Sequence, residues 1–128
     1  MEFKKYQHIE RFGTDEVDGI EFGECLIFPK IDGTNSSVWL DADGNLKAGS
    51  RKRELSLKQD NAGFYTYILE HENVKKYLMK HPTHRLYGEF LVPHSLKTYR
   101  DDAWRKFYIF DICIDTENTF TEDKAINI

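Results

Sequence analysis

At 128 residues, with 40% apolar and 14% aromatic side chains, the chain suits one packed domain or a piece of a larger one and lies far from a disordered composition. The formal net charge of −4 argues against a general polyanion-binding protein. No run approaches the roughly eighteen apolar residues of a membrane span, and MEFKKYQHIE is no signal peptide, so a cytoplasmic protein is expected.

In chain order, residues 24–30 (ECLIFPK) predict a short buried strand, and Ser36–Asp41 a second. Asp43-Gly44 is a hairpin signal, with Asn45–Arg51 returning as the next strand. Ala62–Glu70 predicts a helix, because Phe64 and Ile68 are spaced by one turn, as are Tyr65 and Leu69. Asn73 is the expected cap of a second helix in which Val74, Tyr77 and Leu78 share a face, and Pro82 ends it. His84–Val92 and Arg105–Ile114 predict two further strands. Strands, then inserted helices, then strands again make an α+β fold with a mainly antiparallel sheet, rather than alternating βαβ units. Asp115–Ile128 is polar and offers no closing element.

Cys25 and Cys113 sit in apolar stretches and are expected to be reduced and buried. His81 and His84 flank Pro82, which disfavours a helical ligand pair, so loop histidines are expected instead of a zinc site. Trp39 and Trp104 are assigned to packing. Between Lys47 and Lys58 five basic residues face one acid, Glu54, and Lys97, Arg100, Arg105 and Lys106 form a second group diluted by Asp101 and Asp102. Such runs suit a solvated face as well as a nucleic-acid surface.

Lys30-Ile31-Asp32-Gly33-Thr34-Asn35 is the most informative segment. A lysine leaves an apolar run and meets a tight turn at once, where Gly33 lets a substrate approach the backbone. A lysine side chain has an ordinary pKa of about 10.4, so a nucleophilic one needs burial or a neighbouring cation. The Leu26-Ile27-Phe28 run is expected to supply the burial. A surface lysine beside an Asp-Gly turn is the plain alternative.

Further along come Gly49-Ser50-Arg51, then Leu86-Tyr87-Gly88-Glu89-Phe90-Leu91, then Phe107-Tyr108-Ile109-Phe110-Asp111-Ile112. This ordered set, over residues 24–114, resembles the covalent nucleotidyltransferase superfamily of DNA ligases, RNA ligases and mRNA capping enzymes. Its motifs run Lys-x-Asp-Gly, Ser-Arg, Gly-Glu and aromatic-Phe-Asp. Asn35, two residues after Gly33, resembles the Gly-Thr-Asn pattern of editing and repair RNA ligases, where DNA ligases usually carry arginine. A DNA ligase adenylation domain and a non-catalytic nucleic-acid-binding remnant stay open as alternatives.

The resemblance implies the N-terminal part of a ligase adenylation domain that seals 5′-phosphate to 3′-hydroxyl ends of RNA through an AMP-lysine intermediate. It implies ATP and Mg²⁺, with Lys30 as nucleophile and the metal ligands unspecified. Ile31 and Asn35 would line the AMP site, and Arg51 would contact nucleotide or 5′-phosphate. Glu89 would accept from the ribose or assist the metal, and Phe110 would stack on adenine. Arg51 also suits a solvated basic face, Glu89 a strand-edge position, Asp32 a turn, and Phe110 a core position alternating with Tyr108 and Ile112.

The sequence departs from the pattern in two respects. Pro29 stands where the family often has an acid, and the late Glu-Gly or Asp-Gly and Lys-x-Lys motifs have no counterpart after Ile114. A partial adenylation domain over 1–128 is therefore expected, impaired alone in full ligation and prone to self-associate through an unpaired edge.

Overall fold

The computed structural model describes residues 1–93 and 98–115. Lys97 and nearly all of the polar Asp115–Ile128 stretch lie outside the described residues.

Four strands form one antiparallel sheet in the order β2-β1-β3-β4: β1 Thr34–Leu40, β2 Leu46–Ser50, β3 His84–Leu91 and β4 Lys106–Ile114. Two helices, α1 Phe64–Glu70 and α2 Glu72–Lys80, stand between β2 and β3 in the chain. The fold is α+β. Among the described residues no helix is long and apolar enough to cross a membrane.

The β1–β2 hairpin closes through Asp41, whose Oδ1 accepts from the backbone N–H of Asp43 (2.9 Å) and of Asn45 (2.8 Å). Gly44 takes φ +79°, the left-handed conformation that the Asp-Gly pair announces. Alternate residues of the strands send Val38, Leu40, Leu46, Ala48, Leu86 and Phe90 to one face, where they pack on Phe64, Ile68 and Leu78 of the helices. Phe64 anchors this layer, with ring centroids 5.4 Å from Phe90 and 4.9 Å from Phe107. Val74, Tyr77 and Leu78 do share the packed face of α2. Asn73 is not its cap: the helix starts at Glu72 after His71, with no capping side chain. His84 opens β3 instead of lying in a loop, its ring stacked 4.8 Å from that of His81.

The largest departure from the sequence reading is residues 24–30, which form no strand. Leu26, Ile27 and Phe28 are 78%, 94% and 77% exposed, so the run gives Lys30 no burial. The run pairs with none of the four strands: both edges of β1, the strand it leads into, are taken by β2 and β3, and Pro29 lacks the N–H a ladder needs. Cys25 is likewise exposed and Cys113 only half-buried, and both are free thiols.

The other face of the sheet carries an unexpected cover. Residues 1–6 cross it as an extended segment, with Phe3 beside the buried Trp39 (6.1 Å) and Tyr6 against Tyr87 (4.8 Å). Trp104, half-buried, meets Tyr99 edge-on at 5.3 Å.

Candidate active site

Antiparallel register explains how residues far apart in sequence come together. Asn35 on β1 lies directly opposite Glu89 on β3, and Glu89 opposite Tyr108 on β4. Ser36 pairs with Ser50 at the end of β2, so the next residue, Arg51, stands at the β2 end of this row. Arg51, Asn35, Glu89 and Tyr108 thus form a row across the sheet, at the end where the Lys30–Gly33 turn enters β1. Lys30, Ile31, Asn35, Arg51, Glu89 and Phe110 all line one open cleft of about 1320 Å³.

Glu89 ties the turn to the sheet. Its Oε2 accepts from the Gly33 N–H at 3.1 Å, and the Asn35 side chain also hydrogen-bonds it. Burial pushes its carboxyl above the ordinary range, and the charge of Asp32 adds to that. The Gly33 and Asn35 hydrogen bonds and the Arg51 guanidinium pull the other way without cancelling it. A carboxyl raised from its unfolded value near 4.5 binds its proton more tightly in the native state. Stability is then greatest below that value and is lost as pH rises through the folded pKa. Glu89→Gln, neutral throughout, is expected to match the parent's melting temperature at about pH 4 and to exceed it at about pH 7. An identical difference at both pH values, read by thermal melts, would remove Glu89 as the source.

Two residues that sequence reasoning missed hold the turn. Tyr99 Oη accepts from the Asp32 N–H at 2.8 Å. Asn61 Oδ1 accepts from Thr34 Oγ1 at 2.8 Å, and its Nδ2 donates to the Asn35 carbonyl at 3.3 Å. Asn61, Ala62 and Gly63 all have positive φ, so the loop before α1 coils back onto β1. The Asn-Ala-Gly triplet is the signal that could have found it.

Phe110 is not a core residue. Between Tyr87↔Asp111 and Gly88↔Ile109 the register skips one residue, and Phe110 is that bulge. The bulge ends the alternation with Tyr108 and leaves Phe110 50% exposed, edge-on to Tyr6 at 5.2 Å. The half-exposed ring also lines the cleft.

Lys5, Arg11, Lys30 and Arg51 bring positive charge to the cleft, and Glu89 is the one carboxylate among the described residues lining it. Phe28, Phe107, Ile109 and Phe110 add apolar surface. A cationic rim beside an apolar and aromatic wall suits a ligand with a flat base and a phosphate chain.

A family model described as RNA ligase matches residues 23–128, while a search of curated proteins finds no match. The match takes in the turn, the row across the sheet and the bulged strand. This chain belongs to the RNA ligase family.

Proposed function

We propose that the chain performs the adenylyl-transfer chemistry of an ATP-dependent RNA ligase, with Lys30 as the residue that takes up AMP. The observation that carries the proposal is the meeting of Lys30, Asn35, Arg51, Glu89 and Phe110 in one cleft.

In the first step the neutral Lys30 amine attacks the α-phosphorus of ATP. The Nζ–P bond forms, the bond to the bridging oxygen breaks, pyrophosphate leaves, and the amine proton passes to solvent. In the second, an RNA 5′-phosphate oxygen displaces Nζ and takes the adenylate. In the third, a 3′-hydroxyl attacks that 5′-phosphate and AMP departs, closing the strand. Both substrates, ATP and RNA, are met in the cytoplasm.

Arg51 is suited to grip phosphate oxygens through its planar fork. Ile31 and Asn35 line the cleft beside the turn. The Glu89–Gly33 hydrogen bond holds Lys30 within three residues of a fixed point on β3.

Magnesium fits such a site in one respect only. Among the described residues no group of three or more His, Cys, Asp or Glu is placed to hold a metal ion. Magnesium commonly relies on one or two carboxylates, substrate phosphates and waters, and Glu89 is the lining carboxylate that could serve with ATP. When bound, it would neutralise charge on the phosphates.

Incubation with ATP and Mg²⁺, followed by mass spectrometry under alkaline conditions that preserve a P–N bond, tests the reading. It requires AMP on the peptide holding Lys30. No AMP on the protein would refute it, and transfer to a DNA but not an RNA 5′-phosphate would make the chain a DNA-sealing enzyme.

Phe110→Ala is expected to weaken ATP binding by about five- to a hundredfold, since stacking a base on an aromatic ring is worth about 1–3 kcal/mol. Phe110→Tyr should have little effect. Calorimetric titration that finds equal affinity in folded Phe110→Ala would exclude stacking.

A further inference from the structure

Residues 1–6 belong to no strand, yet four side chains of the sheet fasten them. Trp39 Nε1 donates to the Met1 carbonyl (3.1 Å), Arg85 Nη2 to the Glu2 carbonyl (2.5 Å) and Tyr87 Oη to the Lys4 carbonyl (2.7 Å). Tyr6 Oη donates to Asp111 Oδ2 (2.9 Å). The anchors step from β1 through β3 to β4, so the segment is a strap led across the sheet to the cleft. Burial pushes the Tyr87 phenol up to about 12, which keeps it a donor at any working pH.

The latch is costly. Arg85 is 1% exposed and lies over Trp39 at 4.7 Å, yet its Nε and Nη1 have no hydrogen-bond partner. An apolar side chain would cover the sheet without leaving buried donors unmet. What Arg85 adds is a directed bond to the strap backbone, beside a longer ion pair from the same Nη2 to Asp115 Oδ2 at 3.8 Å.

The strap from Lys5 onward and the chain that follows it to Arg11 form one wall of the cleft, bringing Lys5 and Arg11 to the same space as Lys30 and Arg51. No carboxylate among the described residues forms an ion pair with any of these four cations. In a chain of net charge −4, such a cleft reverses the prevailing sign and attracts anions. The strap also lies ahead of residue 23, where the RNA ligase match begins.

We infer that the end of the strap and its continuation to Arg11 are a phosphate-binding wall: Lys5 and Arg11 hold substrate phosphate groups facing Lys30, and Arg85 is the positioning residue that latches the wall in place. The inference rests on the adenylyl-transfer reading of the cleft. The phosphate belongs either to the ATP chain or to the 5′ end of the RNA, and different probes tell them apart.

The test is calorimetric titration of the whole chain with inorganic pyrophosphate, ATP, adenosine, and one RNA oligonucleotide with and without its 5′-phosphate. Lys5→Gln/Arg11→Gln alters exposed side chains and is expected to leave the melting temperature unchanged. It is expected to weaken pyrophosphate and ATP about ten- to a hundredfold with adenosine unchanged, if the wall serves ATP. If the wall serves RNA, the loss falls on the 5′-phosphorylated strand alone.

Arg85→Met, which keeps the bulk, should reproduce that pattern, and adding it to the double substitution should cost little more. Fully additive losses would overturn the latch. Equal binding of every probe by parent and Lys5→Gln/Arg11→Gln, or no phosphate binding by the parent, would overturn the wall. Pyrophosphate binding without AMP transfer to Lys30 would instead sink the adenylyl-transfer reading and spare the wall.

Discussion

Lys30→Arg is expected to lower AMP incorporation by at least about a thousandfold while leaving the melting temperature unchanged. Removing the nucleophile of a covalent mechanism abolishes the intermediate, and losses in such cases run to about a millionfold. Arginine keeps the charge and most of the length but stays protonated at any usable pH, so it has no lone pair to offer phosphorus. The fold should not register the change. Lys30 is exposed and forms no ion pair among the described residues, and substitutions at such sites usually move stability by less than about 0.5 kcal/mol. ATP affinity should fall little, because the positive charge is kept. Intact-protein mass spectrometry with peptide mapping decides the matter. Continued incorporation, with AMP on Lys52 or Lys58, would move the chemistry to the basic loop and end the case for Lys30.

The parts of this fold that were legible in the sequence are those set by neighbours along the chain. The Asp43-Gly44 turn, the one-turn spacing of Phe64 and Ile68, and the strands at His84 and Lys106 each follow from local patterning. The parts that were not legible depend on what lies across space. Leu26-Ile27-Phe28 reads as a buried strand, yet no strand of the sheet pairs with it and no layer covers it. Period-two alternation offers Phe110 a core position as the rival to stacking, until a bulge shifts it out of the alternation. Nothing local marks Arg85 as the anchor of a segment 83 positions earlier. The candidate site is intermediate: its residues could be named by resemblance, but the row from Arg51 to Tyr108 exists only through register, which no single strand encodes.

Gly33→Ala is the second large effect, expected as about a hundredfold loss of AMP transfer with only a moderate loss of stability. A Cβ at Gly33 would run into the Phe90 carbonyl, whose carbon would lie 2.9 Å away, and would stand 3.0 Å from Leu91 Cα. Both obstacles are backbone, so no side-chain rotation relieves the clash. Phe90 is also held opposite Thr34 on one side and Phe107 on the other, so β3 cannot retreat. The turn must give way instead. Gly33 moving off β3 stretches the N–H bond to Glu89 and carries Lys30 with it, and a shift of about 1 Å in a reacting group can cost about a hundredfold in rate. Crowding of this kind costs about 1–3 kcal/mol, a fall of several degrees in melting temperature. Measuring AMP transfer well below the variant's own melting transition separates the two effects. Parental transfer rates in a folded Gly33→Ala protein would mean that the close approach of this turn to β3 has no part in placing Lys30.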